Sequence, residues 1–195
     1  MFQVAVLISG KGSTLEAILK DQKKDALYEV SLVLADRPCE GLRYAEMEGI
    51  RTRVLPRDRE LSRRILEEVS SFDLVVLAGF LSILEEPVVT EMSNKIINLH
   101  PSLLPKFGGK GMYGRRVHEK VLESKLPISG CTVHYVSEVV DGGSILLQRI
   151  VGIRDCLTSD EVMKKVSAVE KGALIGAIRL LAKEELIHES VTECL

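Results

Sequence analysis

The stretch Ile96-Ile97-Asn98-Leu99-His100-Pro101-Ser102-Leu103-Leu104-Pro105 begins as a short buried strand. Pro101 closes it, because proline offers no amide hydrogen to a sheet ladder. Side chains alternate along a strand, so Asn98 and His100 emerge on the same side. An amide and an imidazole thus stand together at the carboxyl end of a strand, the edge where open α/β sheets bind ligands. The plain alternative is a strand end with two satisfied polar groups. Composition leans away from it. The chain holds only two asparagines, Asn94 and Asn98, and charged residues make up 28%. That profile resembles heat-adapted proteins, which avoid labile amides, so an Asn beside a His is less incidental here.

At 195 residues the chain is expected to form one domain, residues 1–195, with a proper core. Hydrophobic residues are 46% and aromatics 4%, with no Trp. A core of Val, Ile and Leu suits a parallel sheet buried on both faces. The net charge of −2 gives no basic field for nucleic acid. Cys39, Cys131, Cys156 and Cys194 are scattered without a Cys-x-x-Cys pair. They read as free thiols of a reducing compartment, neither a disulfide frame nor a zinc site. No charged region precedes the first apolar run, as a signal peptide would require. The apolar run 74–84 is too short to span a bilayer. A cytoplasmic protein without a membrane partner is the expectation.

Upstream of the central stretch, residues 4–8 form a continuous apolar run. Ser9-Gly10-Lys11-Gly12-Ser13-Thr14 and a helical pattern follow. A glycine turn opening a helix presents backbone N–H groups and hydroxyls at the positive helix end, which favours phosphate. Neither the P-loop spacing nor the third glycine of Gly-x-Gly-x-x-Gly is present, so one phosphate fits better than a dinucleotide. The alternative is a simple capped helix start. Residues 29–35 read as a second strand, 39–48 as a short helix closed by Gly49, and 50–55 as a third strand. The helix at 60–70 keeps Leu61, Ile65, Leu66 and Val69 on one face. The apolar run 73–78 is a central strand. Gly79 then allows close backbone approach, and Phe80-Leu81-Ser82-Ile83-Leu84 could wall a flat ligand, although plain core is the simpler reading. Residues 86–92 read as a short helix.

Downstream, four glycines between 108 and 114 make a mobile or tightly turned loop, placed to cover the site as a lid or wall. A helix at 117–123 is expected to leave His118 on its exposed side. Residues 128–136 and 144–151 read as an antiparallel edge pair joined through Asp141-Gly142-Gly143. In the first of them Cys131, Val133 and Tyr135 alternate with Thr132 and His134. A long helix at 159–183 has Glu170 and Lys171 interrupting its apolar side, so one of them could face a ligand. The fold expected is an open, mainly parallel, doubly wound α/β sheet of about seven strands with helices on both faces.

The central stretch, followed by Asp141-Gly142-Gly143, resembles the folate-dependent formyltransferase family. The Ser9-to-Leu15 opening narrows the resemblance to members that formylate 5′-phosphoribosylglycinamide. It covers nearly the whole chain. It implies transfer of a formyl group from 10-formyltetrahydrofolate, as cosubstrate, to the glycinamide amine, in de novo purine biosynthesis and with no metal. It also implies that Asn98, His100 and Asp141 are catalytic. Gly10, Lys11, Gly12, Ser13 and Thr14 match the loop that holds the substrate phosphate, and Glu170 matches a residue near it. Arg57, Leu81, Ser82, Ile83 and Leu84, with Asn98, match folate contacts. The chain departs from the family at Thr14, where Asn is usual, at Ser82, where Arg is common, and in the glycine loop at 108–114.

The residue types suit that chemistry. Attack of an amine on a formamide carbon turns the carbonyl oxygen into an alkoxide, to which Asn98 and His100 can both donate. Histidine can exchange protons near neutral pH, and Asp141 could hold His100 cationic. Three other readings compete. A formyltransferase acting on methionyl-tRNA would need a further C-terminal domain. A formyltetrahydrofolate hydrolase would carry an extra N-terminal one. A non-catalytic module that binds a phosphate ligand would transfer nothing.

Overall fold

The computed structural model describes residues 1–192, so Cys194 lies outside the described residues. Seven strands form one sheet: β1 (Phe2–Ile8), β2 (Tyr28–Ala35), β3 (Arg51–Val54), β4 (Leu74–Leu77), β5 (Ile96–His100), β6 (Ile128–Tyr135) and β7 (Ile145–Gly152). Their spatial order is β3-β2-β1-β4-β5-β6-β7. The first five run parallel, and β6 and β7 are antiparallel additions. Five helices lie between them, α1 (Ser13–Gln22), α2 (Leu42–Met47), α3 (Leu61–Val69), α4 (Val88–Glu91) and α5 (Arg115–Glu123), and α6 (Ser159–Thr192) follows β7. The expected architecture is therefore observed, with element ends shifted by a few residues.

The two sheet faces are covered unequally. Val4, Val6 and Ile8 of β1 pack under α1, α2, α5 and α6. Ala5 and Leu7 point to the other face, under α3 and α4. That second layer reaches only Ile96 of β5 and takes nothing from β6. Next to it, Asn98, His100, Thr132 and His134 share one face of the paired strands, set by the register Asn98↔His134 and His100↔Thr132. No helix of the second layer covers this patch, and loops 101–109 and 136–144 supply its polar contacts. Strand order reverses between β1 and β4, the point at which open α/β sheets bind ligands outside the carboxyl edge.

His118 is a correction. It is 3% exposed rather than on an open helix face. α5 starts at Arg115, and Val117, His118 and Val121 form one buried arc. The His118 Nδ1 has no hydrogen-bond partner. Burial, and then the neighbouring His100, lower its pKa. Burial also lowers that of His100. Such groups bind fewer protons folded than unfolded. Their stabilising effect is full above the unfolded value near ~6.5 and is lost as pH falls through the folded value. Thermal unfolding should therefore occur at lower temperature at about pH 5.5 than at about pH 7.5. In His118→Leu that drop should be smaller; an identical drop would place the pH sensitivity elsewhere.

Candidate active site

At the patch left open by the helices, two imidazoles meet one carboxylate. His100 Nδ1 lies 3.4 Å from Asp141 Oδ2. His134 Nε2 lies 3.5 Å from Asp141 Oδ1. The remaining ring nitrogens both face carbonyls: His100 Nε2 is 2.7 Å from Phe107 O, and His134 Nδ1 is 2.9 Å from Tyr135 O. A carbonyl only accepts, so each of these nitrogens carries its ring's proton. The nitrogens turned toward Asp141 are therefore bare when the rings are neutral. Separations of 3.4 and 3.5 Å fit that state, since charge-assisted N–H···O bonds are shorter, about 2.7–2.9 Å. Burial raises the Asp141 carboxyl, but His134, His100 and the Gly109 N–H outweigh it and leave the pKa below its ordinary value. For His100, burial outweighs the pull of Asp141 and the Phe107 bond. The resting pair is an anionic Asp141 beside a neutral His100, which corrects the expectation of a histidine held cationic.

Asn98 completes the group. Its Nδ2 is 3.4 Å from His134 Nε2. One amide hydrogen is used there and the other remains to be donated. His100 differs from the sequence expectation, because its Nε2–H is committed to Phe107 and offers nothing to an alkoxide.

The surrounding loops are fixed by buried hydrogen bonds. Thr132 Oγ1 donates to Ser102 O (2.7 Å) and accepts from the Leu104 N–H (3.0 Å). Gln148 Nε2 donates to both Thr132 Oγ1 and Leu104 O. Ser102 Oγ donates to Phe107 O, the carbonyl that also holds His100. The Gly109 N–H donates to Asp141 Oδ2 at 3.0 Å. A Cβ at Gly108 would come 2.4 Å from Leu104 Cδ2 and 3.0 Å from Asp141 Cβ, so a larger residue there would displace the Leu104 side chain and crowd Asp141. The first glycines of the 108–114 loop thus act as a wall behind Asp141.

Gly10, Lys11, Gly12, Ser13 and Thr14 leave the end of β1 and open α1. Gly12 caps the helix at φ 74°, and a Cβ there would come 2.5 Å from Gly41 Cα. The turn therefore packs backbone against backbone and keeps Lys11 and Ser13 exposed. Glu170 sits half-buried on α6. Burial raises its pKa, against a Ser167 hydrogen bond. It bonds within its own helix rather than to the loop, although α1 packs on α6. Glu16 of α1 is held low first by Lys20 and then by Lys171, the neighbour of Glu170.

The expected folate residues divide. Leu81 and Ile83 are 59% and 58% exposed, whereas the Leu84 side chain is buried in the second core layer. Ser82 is also buried, with Oγ donating to Asp36 Oδ2 at 2.6 Å, so its side chain serves the protein interior. Arg57 comes to the same place: Nη2 donates to Leu81 O at 3.3 Å and Nε lies 3.8 Å from Asp36. The guanidinium beside this segment thus comes from the loop after β3. Ser9 Oγ accepts from the Leu81 N–H (2.8 Å), tying the segment to the phosphate-type turn. Among the described residues, no three His, Cys, Asp or Glu are placed to hold a metal ion.

His134 and Gly109 were not singled out by sequence reasoning. Alternation in β6 put His134 on the face of Thr132, and only the antiparallel register puts that face against Asn98 and His100. Gly109 acts through its backbone, which leaves no side-chain signal.

Residues 2–178 match the formyl transferase family model. Over 190 residues the chain is 41% identical to the trifunctional purine biosynthetic protein adenosine-3 of Gallus gallus, covering 92% of this chain and 18% of that protein. Over 194 residues it is 32% identical to the chloroplastic phosphoribosylglycinamide formyltransferase of Vigna unguiculata, covering 95% of this chain and 62% of that one. The chain thus spans less than two thirds of the length of these relatives. The solved phosphoribosylglycinamide formyltransferase of Anaplasma phagocytophilum superposes with a TM-score of 0.82 at 37% identity, covering 94% of this chain and 88% of the other. Glycinamide ribonucleotide transformylase 1 from Symbiobacterium toebii gives 0.84 at 33% identity, with 94% and 89% covered. The chain belongs to the formyl transferase family and, by a likeness that runs nearly end to end, to its phosphoribosylglycinamide formyltransferases.

Proposed function

We propose that the protein transfers the formyl group of 10-formyltetrahydrofolate to the amine of 5′-phosphoribosylglycinamide, a step of de novo purine biosynthesis. We place it in the cytoplasm, acting as one domain without a metal ion, nucleic acid or membrane partner. Among the described residues no helix is long and apolar enough to cross a membrane. The observation that carries the reading is the convergence of Asn98, His100 and Asp141 at β5, the strand next to the β1–β4 pair where strand order reverses. The residues suit both substrates. The Gly10–Thr14 turn offers backbone N–H groups to one phosphate. Leu81 and Ile83 offer apolar surface to a flat ring, with the Arg57 guanidinium alongside.

Attack of the glycinamide amine on the formyl carbon creates an alkoxide and an ammonium. Asn98 donates its free amide N–H to the alkoxide. His100 Nδ1, bare and facing Asp141, takes the ammonium proton, and the carboxylate stabilises the imidazolium that forms. On collapse, His100 returns that proton to the departing folate nitrogen. Burial keeps His100 neutral beforehand, which leaves it able to accept. The protein positions and polarises, and the folate carries the one-carbon unit.

Two measurements test the substrate assignment. Removing the phosphate from the glycinamide substrate should raise KM by roughly a hundredfold, the scale of a lost charge-assisted anchor of about 3 kcal/mol. Ser13→Asp should weaken the phosphorylated substrate in the same direction and leave folate binding within about twofold, because a carboxylate at that helix start repels phosphate. Equal loss for both ligands in a folded variant would make the turn structural.

A further inference from the structure

We propose that His134 is a positioning residue for formyl transfer. It fixes which end of the Asn98 amide faces the reaction, and it does so in the tautomer that the Tyr135 carbonyl selects. The inference rests on the function proposed above and deepens it.

His134 is almost fully buried, on the sheet face beside Asn98 and beyond the apolar layer under α3 and α4. Its Nδ1 lies 2.9 Å from Tyr135 O, which can only accept, so the ring proton sits on Nδ1. Nε2 is then an acceptor. The only part of Asn98 that can bond to it is the amide nitrogen, and Nδ2 lies 3.4 Å away. With the ring proton on Nε2 instead, Asn98 would have to present its Oδ1 there. The amide would turn over, and a lone pair would take the place of the N–H that serves the alkoxide. The orientation of the oxyanion donor is therefore set two steps away, by a backbone carbonyl acting through an imidazole. Asp141 borders the same nitrogen; as an acceptor it offers Nε2 no hydrogen in this tautomer, which leaves the Asn98 N–H as the donor. Its Oδ1 lies 3.5 Å from His134 Nε2 while its Oδ2 is held by the Gly109 N–H and faces His100. His134 thus touches the oxyanion donor and the partner of the proton acceptor, and its two nitrogens face Tyr135 O on one side and Asn98 with Asp141 on the other. The strand register explains why this residue type is needed here. Asn98 and His134 are directly opposite in β5 and β6, which brings the imidazole against the amide.

Two variants and one spectrum test this. His134→Leu keeps the apolar bulk and removes the acceptor. His134→Gln places a carbonyl oxygen near the position of Nε2. In His134→Leu, kcat should fall roughly ten- to a hundredfold, as misorientation of a reacting group does, with both KM values within about threefold. His134→Gln should recover most of that loss. A residue that only fills space would show no such difference between the two. Nitrogen-15 NMR of the wild-type protein without substrate should find the His134 proton on Nδ1. Equal activity of the two variants, or a loss shared by kcat and KM, would overturn the inference. So would a proton found on Nε2. A wild-type protein that transfers no formyl group would instead overturn the reading on which the inference rests, and the tautomer measurement keeps the two failures apart.

Discussion

Asp141→Asn is expected to lower turnover by roughly a hundredfold or more, as loss of a proton-transfer partner does, while the protein stays folded. Asp141 sits in a turn at φ 56°, a left-handed conformation that Asn adopts as readily as Asp. Asn also keeps an oxygen for the Gly109 N–H, whose bond to Oδ2 is 3.0 Å. What it removes is the negative charge between two imidazoles. That charge pulls the His100 pKa upward against the larger effect of burial, so His100 should become still harder to protonate in the variant. The proton from the attacking amine then has no stabilised resting place. The check is turnover beside thermal unfolding, with His100 titrated by NMR. Unchanged turnover with an unshifted His100 would reduce Asp141 to a turn former.

The second large effect is at β5. Asn98→Ala and His100→Ala should each lower kcat by roughly a hundredfold or more, one by removing the alkoxide donor and the other by removing the proton acceptor. The double variant should lose less than the product of the two. The groups are joined through Asp141 and His134, so the first removal already disables part of what the second supplies. Kinetics of the three variants under single-turnover conditions would show it. Fully multiplicative losses would mean that the two residues act independently.

Much of this arrangement was legible in the chain. Strand periodicity placed Asn98 and His100 on one side. Aliphatic runs at β1, β2 and β4 marked a sheet buried on both faces, and glycine before Ser13 marked a helix start at a strand end. Long-range geometry was not legible. That Ser82 turns inward to Asp36 depends on where the β2 and β4 ends meet, and β1 lies between those strands. Arg57 reaches Leu81 across the same edge, which local sequence cannot register. His118 is buried because it lies one turn from Val121 on the packed side of α5, which its polar type does not signal. The proton on His100 Nε2 is assigned by Phe107, seven residues away and outside any periodic element. Side-chain type and local spacing thus indicated the candidate residues, whereas tautomers and hydrogen-bond commitments emerged only from the folded loops.

The most direct test is to supply purified protein with 10-formyltetrahydrofolate bearing a carbon-13 formyl group, with and without 5′-phosphoribosylglycinamide. Products are then followed by mass spectrometry and NMR. The account predicts label on the glycinamide nitrogen, with tetrahydrofolate formed in equal amount and little turnover when the glycinamide is omitted. Label released as formate at the same rate with and without the glycinamide would contradict it, and would identify the catalysed reaction as hydrolysis of the formylfolate.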